Sequence, residues 1–135
     1  NSIGAYFSLC DTPAGTFERA WLVSPLLDLE YYIREVMAEY SVTNEQLEAE
    51  TEINTPRGVL EWPYLRFVEK HPARLDIPSW IIRGDQDEMV PLGTLSRFVG
   101  APGVELVQIE GGQHFLGQPP HLDTVVAWFE ERYPA

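Results

Sequence analysis

The sequence has few basic residues. Nine Lys and Arg stand against 21 Asp and Glu, for a net charge of −12. So acidic a surface repels phosphate backbones and anionic lipid heads, which argues against nucleic acid as a partner. Long apolar runs are missing too. None approaches the roughly 20 residues that cross a bilayer, so no membrane span is expected. The one cysteine, Cys10, leaves no internal disulfide and excludes a multi-cysteine metal site. Set among Phe7, Ser8 and Leu9 in an apolar helical pattern, it reads as a buried, inert thiol. There is no glycine-rich phosphate loop and no histidine cluster, so no cofactor and no metal are expected. Internal repeats, low-complexity tracts and a flexible linker are also lacking. The first residue is Asn1 rather than Met, so a leader upstream of it would leave no trace, and a cytoplasmic location is the default expectation.

What is present reads as one globular domain. The 135 residues are 44% hydrophobic and 12% aromatic, enough to bury a core. Three short apolar runs are the strand candidates: Arg19 to Pro25 (RAWLVSP), Pro78 to Gly84 (PSWIIRG) and Val104 to Gly112 (VELVQIEGG). The first two are apolar throughout, which suits strands buried on both faces. Helical patterns cover Ile3 to Cys10, about Leu92 to Val99, and His121 to Tyr133. In the last, Leu122, Val125, Val126 and Phe129 recur at helical spacing as the expected inner face, with Glu130, Glu131 and Arg132 outside. Strands alternating with helices indicate an α/β fold with a doubly wound parallel sheet. The segment from about Leu26 to Ile77 breaks the alternation. It reads as three helices, the second capped by Thr43 with Gln46 three residues on, and the third opened by Pro63. A helical insertion between two core strands is expected there.

Three places carry residues suited to chemistry. Asn1-Ser2-Ile3-Gly4 matches the last four positions of a G-x-S-x-G nucleophile elbow, a strained strand-to-helix turn that needs small residues around the serine. Ser2 would stand at a helix N-terminus, where partial positive charge favours a developing alkoxide. Gly4 would let the helix pack close to its neighbouring strand. Taken alone, the tripeptide reads more simply as an N-cap serine opening a helix. Next, a buried strand ends at Gly84 and runs into Asp85, Gln86 and Asp87. Beyond a strand's carboxyl end, one of these carboxylates is placed to orient a histidine; turn formation and helix capping are the plainer uses. Last, His114 follows Gly111-Gly112 in a loop before the final helix, at the same sheet edge, placed for general-base work. His71 and His121 sit at helix ends with no such setting. The order Ser2, Asp87, His114 is that of the α/β-hydrolase triad. Asp87 and His114 are 27 residues apart, room for one helix and one strand.

Over its whole length the chain resembles the C-terminal portion of an α/β-hydrolase-fold serine hydrolase of the esterase and lipase kind, starting at the elbow. NSIGAYFS resembles the elbow and its helix, RAWLVSP the next strand, IPSWIIRGDQDEMVP the acid loop, and EGGQHF the histidine loop. In that family the acid lies three residues beyond the strand-ending glycine, which selects Asp87 over Asp85. The resemblance implies that Ser2 attacks a carbonyl carbon, His114 relays the proton, Asp87 orients His114, and the Ile3 backbone N–H is one oxyanion donor. It implies a lid at about residues 26–77, where Trp62, Tyr64 and Phe67 would line an acyl pocket or, equally, serve plain lid packing. A small-molecule acyl substrate, an ester above all, is the expected ligand. Peptide, thioester and carbon–carbon bonds are alternatives, as is a non-catalytic hydrolase-like binding module. The second oxyanion donor and the strand feeding the elbow fall outside the sequence. The chain is therefore expected to be a fragment lacking its N-terminal half, weakly active or inactive alone, with an exposed sheet edge that invites self-association.

Overall fold

The computed structural model describes residues 1–133. Helix α1 (Ser2–Cys10) leads to strand β1 (Ala20–Val23), and two further strands follow late in the chain, β4 (Ser79–Gly84) and β5 (Val104–Ile109). These form one parallel sheet in the order β1-β4-β5. The register pairs Leu22 with Ile81 and Ile81 with Leu106, so every second residue shares a face. Leu22, Ile81 and Leu106 look toward α1 and the central segment, where they join Ala5, Tyr6 and Leu9 in the larger core. Trp21, Trp80, Ile82, Val107 and Ile109 look the other way, toward helix α5 (His121–Arg132). Ile81 and Ile82, both fully buried, thus anchor opposite faces of the middle strand, each contributing about 2 kcal/mol of apolar burial. The parallel α/β arrangement read from the alternation of strands and helices is the one observed.

Several local expectations change. β1 is an edge strand whose Trp21 and Val23 are only half-buried, not a strand covered on both faces. The span Leu92–Val99 does not form an α-helix: a 3-10 turn covers Leu92–Leu95 and turns continue to Gly100. There the Thr94 hydroxyl donates to the Pro91 carbonyl and the Ser96 hydroxyl to that of Gly93, contacts that compete with a helical ladder. Helix α5 touches the sheet through a narrower stripe than its pattern suggests. Trp128 is buried and Val125 half-buried, whereas Leu122, Val126 and Phe129 are at least 40% exposed. Cys10 is half-buried against the core rather than enclosed.

The central segment contains helices α2 (Leu29–Glu39), α3 (Asn44–Glu50) and α4 (Trp62–Lys70). The Asp28 side chain caps α2 by accepting from the Tyr31 N–H, and the Thr43–Gln46 capping box opens α3 as its sequence signals. Between α3 and α4, however, lies an antiparallel hairpin, β2 (Glu52–Thr55) and β3 (Gly58–Glu61), in a stretch expected to be helical. Its cause is local. Thr51 leaves the helix at φ 66°, Pro56 cannot donate, and Gly58 takes φ 124° where a side chain would be strained. The Thr55 hydroxyl donates to the Gly58 carbonyl and accepts from the Arg57 N–H, closing the turn. Among the described residues no helix is long and apolar enough to cross a membrane.

Candidate active site

Ser2 stands where α1 begins, with its backbone laid beside the end of β1. Its N–H donates to the Ser24 carbonyl at 3.1 Å, and its carbonyl accepts from the Leu26 N–H at 3.1 Å, a single parallel bridge between Ser2 and Pro25. The residue lies at φ 47°, in the left-handed region that a non-glycine residue occupies only when its surroundings hold it there. Ile3, the next residue, sits in the first helical turn, whose amides have no intrahelical acceptor. Gly4 does not pack against a strand as expected: a methyl group there would meet open space, and the residue is exposed.

The acid and histidine loops leave the carboxyl ends of β4 and β5, which are neighbours, so both arrive at one sheet edge. They touch at Gly84 and Gly112. A Cβ on Gly84 would fall 2.0 Å from the Gly112 carbonyl oxygen, so the approach demands glycine. Gln86 N–H donates to that same carbonyl, and the exposed Asp85 carboxylate accepts from the Gly111 N–H at 2.8 Å. Asp85 is thereby occupied as a loop tie.

Asp87 is used differently. It is buried, and its Oδ1 accepts from the amides of Met89 and Val90 at 3.1 and 2.9 Å. Its Oδ2 lies 2.9 Å from His114 Nδ1, with both side chains almost wholly shielded from water. A carboxylate there accepts from Nδ1–H, which leaves Nε2 as the acceptor. Nε2 is 3.0 Å from Ser2 Oγ, so the serine hydroxyl donates to it. Ser2, His114 and Asp87 thus form one hydrogen-bonded chain across 112 positions of sequence. His71 lies elsewhere, stacked on Phe67 with Nδ1 on the Phe67 carbonyl, and His121 begins α5.

Sequence reasoning passed over Arg83. This buried guanidinium donates to the Asp87 and Val90 carbonyls and to Gln108 Oε1, so a cation inside β4 staples both ends of the acid turn. A strand read as plainly apolar gives no hint of that role. Beside Ser2 and Ile3 opens a cavity of about 230 Å³, walled by Leu26, Leu29, Ile33 and Val36 on one side and by Arg57 to Glu61 of the hairpin on the other. Tyr64 lines it, as expected; Trp62 and Phe67 do not, because α4 turns them toward Arg66 and His71. Burial, with Cys10 and Glu61 nearby, holds the Tyr64 hydroxyl above its ordinary value, so it stays neutral at the cavity wall. The hairpin wall was invisible in a segment read as helical, although Pro56 and Gly58 mark the turn. Among the described residues no group of three or more His, Cys, Asp or Glu side chains is arranged to hold a metal ion.

No protein-family model matches the sequence, and no curated protein matches it. Solved structures do. The alpha/beta hydrolase domain-containing protein 10 from mouse superposes with a TM-score of 0.65 at 14% identity, over 84% of this chain and 50% of that one. A protein from Agrobacterium vitis S4 gives 0.66 at 16% identity, over 97% and 58%. Est1E from Butyrivibrio proteoclasticus gives 0.55 at 26% identity, over 85% and 49%. The chain has the α/β-hydrolase fold, and it spans about half the length of these neighbours.

Proposed function

We propose that the protein is a serine hydrolase that cleaves a carboxylic ester or a related acyl bond. One observation carries the reading: Ser2, His114 and Asp87 are linked by hydrogen bonds of 3.0 and 2.9 Å, and Ser2 also lines a mainly apolar cavity. Nε2 of His114 removes the hydroxyl proton as Ser2 Oγ bonds to the carbonyl carbon. The Ile3 N–H stabilises the oxyanion, and His114 then protonates the leaving alcohol as the carbon–oxygen bond breaks. Water, activated by the same imidazole, hydrolyses the acyl-enzyme and restores Ser2. Asp87 holds the ring in the required tautomer and offsets the imidazolium charge.

In this proposal the segment from about residue 26 to 77 is the lid, with the acyl chain between α2 and the hairpin. A preceding half of the polypeptide completes the sheet beside β1 and supplies the second oxyanion donor. Two observations support that part: the chain covers only about half of these neighbours, and among the described residues the outer edge of β1 is unpaired before Ser24. Turnover of a panel of p-nitrophenyl esters by the full-length protein tests the reading. Hydrolysis is expected for acyl chains that fit the cavity, with Ser2→Ala reducing it to background. Equal turnover by Ser2→Ala would contradict the proposal.

A further inference from the structure

The left-handed backbone at Ser2 has a counterpart directly after β1. Ser24 is also a non-glycine residue at positive φ, 43°, and it is 2% exposed. Such a conformation persists where the surroundings over-determine it. The polar groups of Ser24 reach three separate segments. Its N–H donates to the Ile82 carbonyl in β4 at 2.8 Å, its carbonyl accepts from the Ser2 N–H at 3.1 Å, and its hydroxyl donates to the His114 carbonyl at 3.0 Å. The last contact bridges 90 positions of sequence. Among the described residues it is also the one hydrogen bond made by the main chain of residues 113–117.

We propose that Ser24 is the positioning residue that sets His114 against Ser2, an inference that rests on the serine-hydrolase reading above. The separation of 3.0 Å between Nε2 and Ser2 Oγ depends on two main chains that are remote in sequence. Ser24 ties both to the end of one strand, so they share a common reference. Its φ turns the hydroxyl toward the histidine loop while the carbonyl stays on Ser2. Without the hydroxyl, the His114 carbonyl loses its buried donor and the loop between Gly112 and Gln118 loses its tie. The imidazole then drifts from the nucleophile, and a displacement near 1 Å reduces the rate on the order of 100-fold.

The test compares Ser24→Ala and Ser24→Gly in the full-length protein. Four quantities are read: the rate of Ser2 phosphonylation by a fluorophosphonate, kcat and KM on an ester, the thermal unfolding midpoint, and the proton NMR resonance of His114 Nδ1–H. Both variants are expected to lose on the order of 100-fold in phosphonylation and in kcat, with KM nearly constant and the His114 resonance shifted or broadened. Ser24→Gly should unfold at a higher temperature than Ser24→Ala, because glycine adopts this φ without strain. Wild-type rates and an unchanged resonance in both variants would overturn the proposal. So would a loss confined to Ser24→Ala, which would assign the effect to backbone strain. If wild-type Ser2 takes up no phosphonate, the serine-hydrolase reading fails on its own. The His114 resonance in Ser24→Gly against wild type then still decides whether Ser24 sets the ring.

Discussion

Two aspartates two positions apart do unlike work because one is buried and the other is not. Asp87 accepts from two amides through Oδ1 and from His114 through Oδ2, whereas Asp85 faces solvent and accepts from Gly111. Asp87→Asn is expected to keep the fold and lower kcat by about 10⁴-fold with little change in KM, since an amide that donates to Nδ1 reverses the tautomer. Asp85→Asn retains an acceptor for Gly111 and should leave turnover close to wild type; steady-state kinetics on both variants checks the contrast, and equal losses would contradict it. Tyr6 gives a residue-scale pH effect. Burial, then Cys10 and Tyr64 nearby, raises its hydroxyl well above the ordinary phenol range, and the neutral group donates to the His71 carbonyl at 2.8 Å. Because folding raises this value, the contribution to stability is complete below about pH 10, where the unfolded phenol is neutral too, and is lost as pH climbs beyond it. Tyr6→Phe should cost about 1 kcal/mol at neutral pH and flatten the fall in stability above pH 10. Chemical denaturation across alkaline pH measures both, and parallel curves for the two proteins would refute the linkage.

At the scale of elements, the contact between the acid and histidine loops sets the site. Gly84→Ala would drive a methyl group into the Gly112 carbonyl, and β4 and β5 leave no slack to absorb it. A loss of about 3 kcal/mol is expected, with the Asp87–His114 pair spread apart. A stable variant of undiminished activity would show that the loops yield more readily than this geometry allows. The same elements show what was legible in the sequence. The apolar run of β4 with its Gly84 end and the Thr43–Gln46 box rest on local chemistry and lie where their patterns put them, whereas β5 starts at Val104 as expected but ends at Ile109, ahead of Gly111-Gly112. Turn chemistry at Thr55–Gly58 was also local, but it was masked by Glu-rich flanks that read as helix. The inner face of α5 could not be read from periodicity, because which stripe is buried depends on how much sheet lies beneath it. Neither Arg83 nor Ser24 announces itself, since each acts on backbone carbonyls brought near only by the fold.

For the molecule as a whole, one expectation follows from the sheet edge. Ala20 and Ser24 turn their amides toward the β4 side, so those of Trp21 and Val23 face the outer edge of β1. Phe129 of α5, 40% exposed, lies with its ring centroid 5.7 Å from that of Trp21 in β1, and Ile3, Phe7 and Val126 are exposed as well. An open edge flanked by apolar residues favours pairing between chains. Sedimentation velocity on the 135-residue chain should show association that rises with concentration; a stable monomer with full ester turnover would contradict this. The central claim is that Ser2 is an activated nucleophile. Its most direct test treats the protein, together with the preceding half proposed above, with a fluorophosphonate and locates the adduct by peptide mass spectrometry, with Ser2→Ala as the control. One phosphonyl group is expected on Ser2, absent from the control. A folded protein that carries no adduct, or carries it on another serine, would contradict it.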